Sequence, residues 1–199
     1  MNARILRIAL ASIVGLLIAA GIAWWQVQHA TSQVETTAAA IGGPFRLTDH
    51  TGKTVSDADY RGKHLLIYFG YTFCPDVCPT ELNTMASALD KLGPLADRIQ
   101  PLLITIDPER DTAAHLAEYV TLFHPRLVGL TGTPEQIRQV TREYRVYAKK
   151  ADGGTGDAYL MDHSSFVYLM GPDGKYVGVF PGGTTPEKMA GDIKKRVGG

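Results

Sequence analysis

Both cysteines of the chain, Cys74 and Cys78, stand four residues apart in the segment Tyr71-Thr72-Phe73-Cys74-Pro75-Asp76-Val77-Cys78-Pro79. An apolar run precedes this segment and a helical pattern follows it. If the helix begins near Pro75, the two thiols share one side of its first turn. A helix N-terminus favours negative charge, so the spacing predicts lowered pKa values for both. Such a pair can close a disulfide or clamp one soft metal ion. Buried cysteines often serve packing alone. Two isolated cysteines at a strand-to-helix turn, in a compartment where disulfides persist, point instead to chemistry.

Two further places carry reactive groups. His163 lies in Tyr159-Leu160-Met161-Asp162-His163-Ser164-Ser165, just ahead of a strand pattern. If that strand neighbours the one before the cysteines, the loop entering it faces the Cys turn. Two thiolates and an imidazole form a soft set suited to Cu(I); zinc also takes S and N donors but prefers four. Asp107 follows an apolar strand, at the carboxyl edge where open α/β sheets gather functional groups. It either bonds His163 and tunes a metal site from behind the ligands, or simply starts a turn with Pro108. Asp111 reads as a helix cap, with Thr112 the other candidate for that place. Arg110 is distant from the Cys segment, which weakens a peroxide-reducing reading. His29, His50, His64, His115 and His124 show no ligand spacing, and Met85 is simplest as core.

The elements that must position these groups follow from periodicity and turn chemistry. Phe45–Leu47 and Thr54–Val55 flank Asp49-His50-Thr51-Gly52 as a small hairpin. Leu65–Gly70 and Leu102–Ile106 are continuous apolar runs, read as buried strands. Leu82, Met85, Leu89 and Leu92 recur at helical spacing over Thr80–Leu92. A helix capped at Asp111 or Thr112 runs to about Phe123, and Leu127–Leu130 is a short strand. Thr133-Pro134 opens a helix with a cap and a proline at its first position. Val146–Ala148 is extended. Ser165–Met170 and Tyr176–Phe180 are strands joined by Gly171-Pro172-Asp173-Gly174, and Pro186–Val197 closes the chain as a helix. The order predicts an α/β sheet covered on both faces.

The 199 residues suit one domain with an appendage. Twenty Lys and Arg balance twenty Asp and Glu, which argues against nucleic acid as a partner. A hydrophobic fraction of 45% excludes a disordered chain. From Ile8 to Trp25 the chain is uncharged and apolar apart from Ser12, a run of 18 residues. As a helix it would measure about 27 Å, close to the roughly 30 Å of a bilayer core. Arg4 and Arg7 precede it and Trp24-Trp25 end it, which predicts one transmembrane helix with the N-terminus in the cytoplasm. A cleaved signal would have a shorter apolar stretch, and Ala38-Ala39-Ala40 lies too far beyond Trp25 for its cleavage site. The expected organisation is an anchor and tether over residues 1–41, then a domain over 42–199 on the periplasmic side of the inner membrane.

The segments FGYTFCPDVCPTEL, TIDPERDT and DHSSFVYLMGPDGKYVGVF, in this order behind a single anchor, resemble the Sco/SenC family. The resemblance spans roughly Gly42 to Arg196. It implies a thioredoxin-like fold with an N-terminal β-hairpin extension, and membrane-tethered copper binding that helps assemble the CuA centre of cytochrome c oxidase. Carried over position by position, it implies copper ligands at Cys74, Cys78 and His163, and at Asp107 the acidic residue thought to influence them. It implies as partners the CuA-bearing oxidase subunit and periplasmic copper donors or thiol reductants. The role is that of a metallochaperone, without turnover of a substrate. A second function stands beside it, that of a thiol–disulfide oxidoreductase keeping the partner's cysteines reduced, with Cys74 attacking and Cys78 resolving.

Overall fold

A computed structural model of the chain describes residues 15–25, 41–151 and 158–198. The chain divides into two compact units, Met1–Ala40 and Ile41–Gly199. In the first, residues 15–25 are helical with exposed side chains. The remainder of the apolar run, from Ile8, lies outside the described residues, as does all but the last residue of the tether. Among the described residues no helix is long and apolar enough to cross a membrane.

The second unit is built on a seven-stranded sheet. Its strands are β1 (Arg46–Asp49), β2 (Thr54–Ser56), β3 (His64–Gly70), β4 (Ile99–Thr105), β5 (Val128–Thr131), β8 (Phe166–Met170) and β9 (Tyr176–Pro181). Two short strands, β6 (Ala148–Lys150) and β7 (Met161–His163), pair separately as an antiparallel ribbon. The helices are α1 (Val77–Leu92), α2 (Ala113–Val120), α3 (Pro134–Glu143) and α4 (Pro186–Val197). The strand order is β2-β1-β5-β4-β3-β8-β9, with β3, β4 and β5 parallel to one another. All seven residues of β3 are buried, as a central strand covered on both faces requires. The α/β reading and the N-terminal hairpin therefore hold. The hairpin turn is closed by Asp49, whose Oδ1 accepts from the backbone N–H of Thr51 and Lys53.

Several expected boundaries shift for physical reasons. The helix that carries Cys78 starts at Val77, because Pro75 still belongs to the turn and Asp76 stands at the N-cap. The helix after β4 ends at Val120, short of Phe123, and its cap is Thr112, whose Oγ1 accepts from the His115 N–H. Asp111 is not the cap. Two short 3-10 turns, Asp57–Tyr60 and Gly93–Arg98, give too little periodicity to be seen in the sequence.

Register decides what meets at the site. Gly70 of β3 pairs with Thr105 of β4, so the cysteine turn and the Asp107 segment leave the sheet side by side. β8 runs antiparallel to β3, with Val167 opposite Tyr68. The residues entering β8, His163 among them, consequently arrive at the end of the sheet where β3 gives way to the cysteines.

Candidate metal centre

One donor atom from each of Cys74, Cys78 and His163 lies within 4.8 Å of the others. Cys78 Sγ and His163 Nε2 are 3.5 Å apart, and the Cys78 backbone N–H donates to Cys74 Sγ at 3.3 Å. The three residues predicted from the sequence are thus brought together. Gly70 makes the close packing possible: a Cβ there would fall 2.7 Å from Tyr68 Cε1 and 3.1 Å from Cys78 Sγ.

The two thiols are not alike, which corrects the expectation that both are acidic. Cys74 is half-buried. Burial opposes its charged form, but the backbone N–H groups of Asp76 and Cys78, with the Cys78 and Tyr71 side chains, outweigh burial and lower its pKa. Cys78 is fully buried, and desolvation pushes its thiol up to about 12. Cys74 is therefore the more readily ionised thiol, while Cys78 keeps its proton until a partner takes it.

His163 is prepared for a metal or a thiol. Its Nδ1 lies 3.0 Å from the Ser164 carbonyl oxygen, which can only accept, so Nδ1 carries the proton and Nε2 is left with a free lone pair. Burial lowers its pKa against the pull of Ser164 and Asp162, so the ring is neutral at pH 7. The Cys78 S–H can then donate to Nε2. The imidazole is held edge-on between two tyrosine rings, Tyr71 at 5.9 Å and Tyr68 at 6.2 Å between centroids. Tyr71 adds a tie the sequence did not signal: its hydroxyl accepts the Met161 N–H at 3.1 Å, pinning the histidine ribbon to the cysteine segment.

Asp107 does not bond His163. It is 2% exposed and paired with Arg110 through Nε at 2.5 Å, and it accepts from the Tyr159 hydroxyl at 2.7 Å. Arg110 also donates to the Tyr159 carbonyl at 2.9 Å and lies 4.6 Å from the Phe73 ring centroid. It is closer to the cysteine segment than its sequence distance suggests, reaching it through aromatic faces. Asp107 is therefore tied to Tyr159, ahead of the ribbon, and to Arg110 rather than to the histidine itself. Asp111, taken as a cap, is instead a buried clamp. Its oxygens accept from the Thr72 N–H at 3.1 Å, the Thr72 hydroxyl at 2.6 Å and the Thr105 hydroxyl at 2.6 Å. Burial raises its pKa even so, with those donors opposing.

Fold and site together define a thioredoxin-like α/β domain whose usual redox turn has become a dithiol facing an imidazole. Comparison with known proteins narrows this: the SCO1/SenC family model matches residues 33–198, and the chain belongs to that family. It is 49% identical over 142 residues to the human mitochondrial protein SCO1 homolog, covering 70% of this chain and 47% of that one. The chain spans between about half and three fifths of the length of the curated relatives it matches first. The structure of Bradyrhizobium japonicum ScoI with copper bound superposes with a TM-score of 0.73 at 49% identity, over 79% of this chain and 99% of that one. BsSco, described with a disulfide switch as a member of the Sco family of cytochrome c oxidase assembly proteins, superposes with a TM-score of 0.65 at 25% identity, over 81% and 95%.

Proposed function

We propose that this chain carries one Cu(I) on Cys74, Cys78 and His163 and passes it to the CuA-bearing subunit of cytochrome c oxidase. The observation that carries the reading is the convergence of two sulfurs and one unprotonated imidazole nitrogen within 4.8 Å. The donor set is soft, which suits Cu(I) over harder divalent ions. The copper-bound relative, and the membership of BsSco in a family of cytochrome c oxidase assembly proteins, support the same cargo and destination.

The chain's own residues supply the order of events. Cys74, partly exposed and lowered in pKa, meets the incoming ion first. His163 offers Nε2 because Ser164 holds the proton on Nδ1. Cys78 completes the set as it gives up its proton to solvent or buffer. Release begins at the same exposed edge, where a partner thiolate displaces Cys74. Both thiols must be reduced, so redox state gates loading.

The inequality of the thiols favours one second reading, thiol–disulfide exchange. In it the Cys74 thiolate attacks a partner disulfide, releasing one partner thiolate and forming a mixed disulfide. Cys78, deprotonated, then attacks Cys74, leaving the Cys74–Cys78 disulfide and the partner's second thiol. His163 decides between the readings. Its replacement by Ala should lower Cu(I) affinity by at least about 100-fold, more than loss of a supporting group behind a ligand costs. CuA formation should fall with it while the dithiol still cycles. Normal copper affinity and normal CuA formation in His163→Ala would transfer the function to the exchanger.

Residues 1–41 serve in this reading as a membrane anchor and tether, with 42–199 on the periplasmic side. The uncharged run Ile8–Trp25 behind Arg4 and Arg7 supports it. Release of the chain from membranes by alkaline washing would refute the anchor.

A further inference from the structure

Behind Cys78 lies a hydroxyl with nothing to bond. Tyr68 is 0% exposed, yet its OH has no hydrogen-bond partner among the described residues. Leaving a buried donor unpaired is costly, so such a group calls for an explanation. Its neighbours are specific. The Tyr68 ring and Cys78 Sγ crowd the same point above Gly70. The Cys78 and Ser165 side chains lie near the OH, but neither is placed to close a well-formed hydrogen bond with it. Glu81 adds a carboxylate on the same side; its Oε1 is occupied by the Gly183 N–H at 2.7 Å.

A thiol is a poor acceptor and a thiolate a good one. In the structure Cys78 has its thiol turned to His163 Nε2. Once sulfur and Nε2 both face a metal, the sulfur gains lone-pair density and the Tyr68 hydroxyl gains its missing acceptor. We propose that Tyr68 is a positioning residue for the loaded site, its hydroxyl closing an O–H···S bond onto Cys78 only when that sulfur is a ligating thiolate. The inference rests on the copper-binding reading and assigns to β3 a part in holding the cargo. A buried hydroxyl left unpaired beside a protonated Cys78 is a cost that metal binding removes, so it contributes to affinity without adding a ligand.

Tyr68→Phe tests this with little change in shape. The readouts are Cu(I) competition titration, the sulfur-to-copper charge-transfer band of the Cu(II)-loaded protein, the dithiol potential in a glutathione buffer, and thermal melting. The expected result is a loss of about ten- to a hundredfold in Cu(I) affinity, the size of a hydrogen bond to a charged acceptor. The band should move to lower energy, because a sulfur relieved of a donor gives electrons to copper more readily. The metal-free dithiol potential and the melting temperature should stay near wild type, because the bond is not made without the metal. Placing 3-fluorotyrosine at 68, a stronger donor, should move the band the opposite way. Affinity within twofold of wild type, or an affinity loss with an unmoved band and a lowered melting temperature, would overturn the role. Failure of the unmodified protein to bind copper at all would overturn the function itself and this inference with it.

Discussion

The turn that carries Cys74 and Cys78 and the ribbon that carries His163 are both fastened to the segment after β4, each by its own buried aspartate. The fastenings differ in kind. Asp111 holds the cysteine side with short bonds from Thr72 and Thr105, atoms at or next to strand ends. Asp107 holds the histidine side through long side chains, Arg110 and Tyr159. The cysteines therefore belong to the sheet, while the histidine is joined to it through a charged pair and an aromatic ring. The difference teaches that sulfur and nitrogen donors can be disturbed one at a time.

The strongest way to break the comparison is Asp107→Ala. It removes the carboxylate that pairs with the largely buried Arg110 guanidinium, and breaking such a pair costs about 3–5 kcal/mol. Denaturant unfolding should show that loss. Cu(I) affinity should fall while the dithiol potential of the folded protein stays put, because only the histidine side is released. A shifted potential with intact copper binding would invert the assignment.

Asp111→Ala is the counterpart. It leaves the Thr72 N–H and two hydroxyls without an acceptor, at a cost of about 2–4 kcal/mol. Here the dithiol potential and the alkylation rate of Cys74 should change. Its pH signature sharpens the contrast. The folded carboxyl is raised above its ordinary value, so it binds a proton more readily folded than unfolded. Its favourable contribution is complete below about pH 4 and is lost as pH rises through the folded pKa. The stability of wild type relative to Asp111→Asn should therefore decline as pH climbs above that point. A flat difference would remove Asp111 from the account.

Tyr71→Phe is the mildest probe. The ring stays against His163 while the Met161 N–H loses its acceptor, worth about 1 kcal/mol. Stability should fall by that amount and copper affinity only slightly. A large affinity loss would mean the hydroxyl does more than tie the ribbon.

What the sequence disclosed follows from how locally each feature is encoded. Leu65–Gly70, the cysteine spacing and the Thr133-Pro134 start are written in adjacent residues. The strand pattern beside β3 suffices to bring His163 to the cysteine turn, where the structure has it. Asp111 was misread because its partner Thr72 is 39 residues away, while its own neighbourhood resembles a cap. The unequal thiols are not legible locally because Cys74 lies in the turn before the helix, within reach of the Asp76 and Cys78 amides, while Cys78 is the second helical residue and buried. The β6–β7 ribbon was hardly visible, since Met161-Asp162-His163 has neither alternation nor an apolar run.

The donors also differ in when they come to exist. Four positions separate the cysteines, so an unfolded chain still presents a thiol pair to any passing soft metal. The imidazole stands 85 residues from Cys78 and arrives only after β8 has docked beside β3. A nascent or damaged chain can then take up copper but cannot hold it as the finished domain does. On the copper-carrying reading proposed above, the histidine would thereby inspect the fold, and tight retention of the ion would mark a finished domain.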